Sequence, residues 1–314
     1  MTNKIITKEM DLNGRKLKLE TGKFAKQADA AVVASWGETV VLVTVATQPL
    51  TEDKDYFPLS VEFVEKHYAG GRISSSRFIK RESRPSDEAV LTGRMIDRSI
   101  RPLFPNDFHQ EVQVIITVLS IDQINDPDIL GLIGTSAALS ISSVPWGGPL
   151  GASRIGMINN ALVIYPTVEE AAHLDLDVFI AVSQDKVAMI EVEGKEVPNE
   201  KVCEAIKEGH TQVQPIINLI KEFARDTGKE KLSYSTLAEE IEEALLSEVK
   251  KLAKEKIEAA LFDNETPWHE ATGDLIKKEI AEKYKEVMTT QITSGVFDKV
   301  AKEIMNDAIL NKKV

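Results

Sequence analysis

Residues 77–105 read RFIKRESRPSDEAVLTGRMIDRSIRPLFP. Two chemistries meet in this stretch. Its first half alternates cations with small polar residues and ends at Pro85. Ser86 then opens a helical pattern, with Asp87 and Glu88 in the first turn, as an N-cap followed by acids matched to the helix dipole should. Ala89, Gly93, Ile96 and Ile100 recur at helical spacing and are expected to face a core. Arg94, Arg98 and Arg101 stand at i, i+4 and i+7 and share the opposite face. Pro102 and Pro105 end the helix. Upstream, residues 68–85 form a loop rich in Gly, Ser and Arg, and loops of that length inside compact domains are usually functional.

The cations of this segment stand out against the whole. The chain has 314 residues and a net charge of -12, from 38 Lys and Arg against 50 Asp and Glu. Seven of its ten arginines lie between Arg72 and Arg101. Residues 66–101 hold nine cations and four anions, a local +5 that leaves -17 elsewhere. Arginine suits planar, bidentate phosphate recognition. A basic footprint over the whole chain is thus excluded, and a local one is expected.

Outward from this segment, 15–20 and 57–63 alternate as half-buried strands do. Residues 39–47 and 111–119 are β-branched and apolar, as strands buried on both faces are. Residues 128–142 form a helix of small residues, which permits close packing on a sheet. Strands are expected at 160–165, 177–183 and 187–192. A helix at about 197–225 carries Cys203, read as a core thiol. Beyond about 233 the chain turns Ala/Glu/Lys/Leu-rich, with apolar stripes Ile241, Leu245, Val249, Leu252 and Ile276, Ile280, Tyr284, Met288. Breaks are expected near Asn264–Pro267 and Thr272–Gly273. The expected fold class is α+β, with domains at 1–228 and 229–314, the second all-helical.

Composition narrows the chemistry. The 43% hydrophobic and 28% charged fractions are those of a globular chain. One cysteine makes no internal disulfide and suits a reducing compartment. The N-terminus is polar, with no apolar core of a signal peptide, and no apolar run reaches the roughly 18 residues of a spanning helix. A soluble, cytoplasmic protein with no membrane partner is the expectation. There is no Walker-type phosphate loop and no GxSxG elbow. His67, His109, His173, His210 and His269 are scattered, without metal-binding spacing. Asp175 and Asp177 fall on one face at the start of a strand and are weak candidates for a divalent cation.

The motifs YAGGRI and RFIKRESRPSDEAVLTGRMIDRSIRPLFP, followed by GTSAALSIS, VPWGGPLGASRIG, LDLDVFIAVS and EVPNEKVCEAIKEGH, closely resemble polynucleotide phosphorylase. The similarity is to the first of that family's two RNase PH-like copies, and the helical stretch matches its all-α linker domain in place and character. The resemblance implies an RNase PH-like (βαβα) domain followed by a helical one. It implies part of a 3′-to-5′ exoribonuclease and polyribonucleotide nucleotidyltransferase that works in RNA degradation. Inorganic phosphate would be co-substrate and Mg²⁺ the family's metal. It further implies a homotrimer with single-stranded RNA in a central channel, and other RNA-degradation proteins as partners. The family's channel loop falls on Phe78, Ile79, Lys80 and Arg81, where Phe78 would stack on a base and Lys80 and Arg81 would hold phosphates. With Arg72, Arg77, Arg84, Arg94, Arg98 and Arg101 these are the expected RNA-binding residues.

This chain departs from the family pattern in places. Ser74-Ser75-Ser76-Arg77 replaces a Pro-Gly-Gly type tripeptide, and Ser83 stands where Gly is usual. At the phosphate-binding turn of active copies it has Asn125-Asp126-Pro127-Asp128, where Pro127 lacks an amide donor and two acids repel an anion. Asp177 matches one acid of the active pair, but Ala171 and Phe179 stand at the partner acid and the lysine. The expectation is a catalytically silent copy that serves RNA binding and ring assembly, the active copy beginning about where this chain ends. The alternative is a stand-alone, non-catalytic RNA-binding module.

Overall fold

A computed structural model describes residues 5–49, 56–73, 84–105, 108, 110–233, 247, 251, 254, 256–257, 270–283, 290–307 and 310–311. The chain divides into two compact units, Met1–Ser233 and Tyr234–Val314.

The first unit holds two sheets. Strands β1 (Ile6–Leu12), β2 (Arg15–Thr21), β3 (Ala30–Trp36), β4 (Thr39–Gln48), β5 (Leu59–Val64) and β6 (Glu111–Ser120) form a six-stranded sheet in the order β1-β2-β3-β4-β6-β5. Its pairs are antiparallel except β5–β6. That parallel pair needs a crossover, which α1 (Asp87–Ile100) supplies. Strands β7 (Gly151–Ile158), β8 (Ala161–Ile164), β9 (Leu176–Val182) and β10 (Val187–Gly194) form an antiparallel sheet in the order β10-β9-β7-β8. Helix α2 (Pro127–Ile141) packs on β3, β4 and β7, and α4 (Asn199–Thr227) on β7 and β9; α3 (Val168–Ala171) is a single turn.

The small residues of α2 allow this closeness. A Cβ on Gly134 would stand 2.8 Å from Val43 Cγ2 and 3.3 Å from the Ala34 Cβ, so the helix lies almost on the sheet backbone. Strand β4 buries Val41, Val43 and Val45 completely while the residues between them are half-buried. The expectation of two fully buried faces therefore holds for neither β4 nor β6, which alternates likewise. It is β9 that is buried on both faces, from Val178 to Val182.

Three strands carry no clear signal in the sequence: β1, β3 and β7. Cys203 is exposed rather than in the core. The buried face of α4 runs through Ala205, Gly209, Val213, Ile216 and Ile220, and Cys203 lies off it.

Residues 229–232 are tied to the first unit. The Lys229 N–H donates to Ile141 O and the Leu232 N–H to Ser143 O. Lys231 Nζ donates to the carbonyls of Leu139 (2.9 Å), Ser140 (3.2 Å) and Ser142 (2.8 Å), capping the C-terminus of α2 with a cation.

The second unit is helical where it is described. Helices α5 (Glu270–Lys283) and α6 (Thr290–Asp307) bury Ile276, Ile280, Phe297, Val300 and Ile304. Helix α5 runs through Thr272–Gly273, so the break expected there does not occur: one glycine is tolerated inside a helix at about 1 kcal/mol. Ile241, Leu245, Val249, Leu252, Tyr284, Met288 and 264–267 lie outside the described residues.

Candidate nucleic-acid interface

Strand β5 ends by delivering Glu65 and Lys66 to a 3₁₀ turn, His67–Gly70. Gly71 closes this turn at φ 68°, and the Arg72 N–H returns to His67 O at 2.9 Å. The left-handed closure suits glycine. The Ile121 N–H bonds Ala69 O at 3.1 Å, which fixes the turn to the end of β6. From the other side comes the N-terminus of α1. Ser86 Oγ accepts the Ala89 N–H at 3.0 Å, the expected N-cap, and donates to Glu65 Oε2 at 2.7 Å. Between turn and helix lies a cavity of about 410 Å³, with Val64, Pro85 and Ile121 among its apolar walls and Lys66, Arg72 and Arg84 as its cationic ones.

The sequence-expected residues divide into three groups. Arg72, Arg84 and Arg94 are exposed. Arg94 borders a neighbouring groove of about 360 Å³ between α1 and β5. Among the described residues, no carboxylate lies within ion-pair distance of these three. Arg98 is exposed, 3.5 Å from Glu191 of β10. Arg101 is held within the fold. It grips Asp97 through Nε (3.0 Å) and Nη2 (2.7 Å) and donates to Phe57 O and Leu59 O, so it anchors the start of β5. Arg77, Phe78, Lys80 and Arg81 lie outside the described residues.

A second charged centre lies at the N-terminus of α2, where Asp126, Asp128 and Asp177 are marked by the sequence and Arg154 is not. The loop before it is set by Asp122, which accepts from the N–H groups of Glu38, Thr39, Ile124 and Asn125 and from Thr39 Oγ1. Burial pushes this carboxyl up, but the donors from Asn125, Ile124 and Thr39 outweigh it and hold it well below the usual carboxylate range. Asp126 caps α2 by accepting the Asp128 N–H at 2.8 Å. Its other oxygen bonds Arg154 Nη1, and Arg154 Nε reaches Asp177 Oδ1 at 3.1 Å. Arg154 on β7 thus bridges α2 to β9. Burial, reinforced by Asp126, pushes Asp128 up to about 7 against the pull of Arg154 and a Thr92 hydrogen bond. Burial raises Asp177 too, with Arg154 opposing.

A divalent cation does not fit Asp175 and Asp177. Asp177 is bonded to a guanidinium, which repels a metal ion, and Asp175 accepts the Asn159 N–H at 3.3 Å. Among the described residues no three His, Cys, Asp or Glu side chains come together in a way that could hold a metal. Nor, among them, is any helix long and apolar enough to cross a membrane.

Two successive models of the 3′ exoribonuclease family match the chain, domain 1 over residues 13–145 and domain 2 over 148–212. The chain belongs to the 3′ exoribonuclease family. Among its relatives, the polyribonucleotide nucleotidyltransferase of Acidiphilium cryptum is 42% identical over 316 residues, covering 100% of this chain and 44% of the relative. That of Thermus thermophilus is 46% identical over 240 residues, covering 76% and 34%. The chain therefore spans less than half the length of these curated relatives. Rrp46 from rice (Oryza sativa) matches 72% of this chain and 97% of its own with a TM-score of 0.54 at 13% identity, which shows a common fold.

Proposed function

We propose that this chain is the RNA-binding and assembly part of a polyribonucleotide nucleotidyltransferase. In this reading the whole protein degrades RNA from its 3′ end with inorganic phosphate and Mg²⁺, as a cytoplasmic homotrimer that works with other RNA-degradation proteins. The RNase PH-like domain, expected at 1–228, would extend to the end of the first unit, and the helical domain would follow it. The observation that carries the reading is the cationic cavity at the start of α1, where Arg72 and Arg84 stand without a carboxylate partner among the described residues. Single-stranded RNA offers what such a place takes: phosphates for guanidinium groups and bases for apolar walls. Arg94 and Arg98 extend the track along α1. The expected loop residues Arg77, Phe78, Lys80 and Arg81 belong to the same reading.

Within it, this copy is catalytically silent. Phosphorolysis needs cations free to meet inorganic phosphate. The Arg154 guanidinium is already bonded to Asp126 and Asp177, and Pro127 has no N–H to offer. This closed centre also favours the alternative of a stand-alone, non-catalytic RNA-binding module. One experiment addresses both: incubate the chain with labelled single-stranded RNA, phosphate and Mg²⁺, and follow binding and nucleoside diphosphate release together. Binding without release is expected. Release would overturn the silent copy, and absence of binding would overturn the RNA interface.

A further inference from the structure

Glu65 is an anomaly in the cavity beside α1. It is the one carboxylate among the described residues lining that cavity, whose other charged groups are cationic. Counter-ion to the arginines would be its simplest role, yet no ion pair joins it to any described cation. Instead Ser86 holds it. The hydroxyl accepts from the Ala89 N–H and donates to Glu65 Oε2 at 2.7 Å, so its position is set by the cap of α1. No described group donates to Oε1. The carboxylate is thus an oriented acceptor at the mouth of a cavity with apolar walls.

We infer that Glu65 reads the base of one unpaired nucleotide, favouring bases that carry an exocyclic amino group over uracil. This rests on the proposed RNA-binding reading. Phosphate would lie on Arg72 and Arg84, and the base against Val64, Pro85 and Ile121, the apolar lining residues that are not buried in the core. Unpaired bases in RNA are read on exactly such exposed Watson–Crick edges, and an acidic side chain accepts from the cytosine amino group. Adenine, cytosine and guanine each present N–H₂ to the carboxylate. Uracil presents one ring N–H between two carbonyl oxygens, and the carboxylate repels both. The cavity, about 410 Å³, is within the usual size of small-ligand sites.

Cytosine and uracil have the same size and differ chiefly at this edge, so they isolate the effect. Fluorescence anisotropy with labelled six-nucleotide oligo(C) and oligo(U) at neutral pH is the measurement. Oligo(C) is expected to bind about tenfold tighter, the low end of what one specific base contact discriminates. Glu65→Gln, whose amide can accept or donate, should bring the two affinities together. R72A should weaken both oligonucleotides equally and leave their ratio intact. Equal affinities in the wild type, or a ratio that survives E65Q, would overturn the inference and leave RNA binding standing. No binding of either oligonucleotide would instead remove the RNA-binding reading beneath it. A thermal melt of E65Q matching the wild type shows that the change acts on the ligand and not on the cap.

Discussion

Arginine works in two opposite ways in this molecule. Beside α1, Arg72, Arg84 and Arg94 face solvent with no carboxylate partner among the described residues. At the start of α2, Arg154 is mostly buried and bonded by two carboxylates from different elements. A guanidinium in water is cheap to keep and available to an anion that arrives. One in the interior must carry its counter-ions with it, because an uncompensated buried charge is strongly unfavourable. The first place can bind; the second can only hold. That contrast separates the open part of the charged surface from the closed part.

The contrast is broken most forcefully at Arg154. R154M leaves Asp126 and Asp177 without a counter-ion and should cost about 3–5 kcal/mol of stability, read as a fall in the urea midpoint. Neutralising both acids as well, in D126N/R154M/D177N, should recover most of the loss. If R154M is as stable as the wild type, the bridge between α2 and β9 is not what joins them.

Asp128 should make the closed centre sensitive to pH. Its carboxyl is raised from 3.8 to about 7 in the folded protein, so the folded state keeps a proton that the unfolded chain gives up. That contribution is fully present below about pH 4 and is lost as pH rises through about 7. The melting temperature of the wild type should therefore fall across this window relative to D128N. Parallel profiles for the two proteins would show that Asp128 does not titrate there.

The open face should respond in binding and not in stability. R72A/R84A should weaken single-stranded RNA binding about tenfold. It should lower the magnitude of the log K against log salt slope by about 1.4, two phosphates at 0.7 each. Its urea midpoint should shift by no more than about 0.5 kcal/mol allows. The smallest effect belongs to R98A. Its pair with Glu191 is more than half exposed on both sides, so its removal should change stability by less than about 1 kcal/mol. An RNA effect from R98A larger than that of R72A/R84A would move the interface along α1.

How far the sequence foretold this depends on where each signal resides. Helix α1 was legible because its signals are local: Ser86 at the cap, acids in the first turn, apolar residues at helical spacing, prolines beyond the end. Strand β7 was not. GASRIGMI is punctuated by glycine and almost wholly buried, so it shows no alternation. Its identity as a strand comes from pairing with β8 and β9, which lie outside its own sequence. Arg154 was hidden with it, although an arginine within an apolar run is itself a signal that a buried partner waits. Cys203 misleads because cysteine is usually buried, whereas the period of α4 puts position 203 off its buried face. Of the open face, the arginines could be listed from composition. That Arg101 would turn inward to Asp97 and two carbonyls could not, because that depends on where β5 begins.

Helix α2 is held by charge at both ends, by Asp126 and its arginine at the start and by Lys231 at the finish. This has a mechanical meaning. A pull on the chain beyond residue 233 would first meet the Leu232 bond to Ser143 and the Lys231 grip on the last carbonyls of α2, so the load would enter the first unit at the end of that helix.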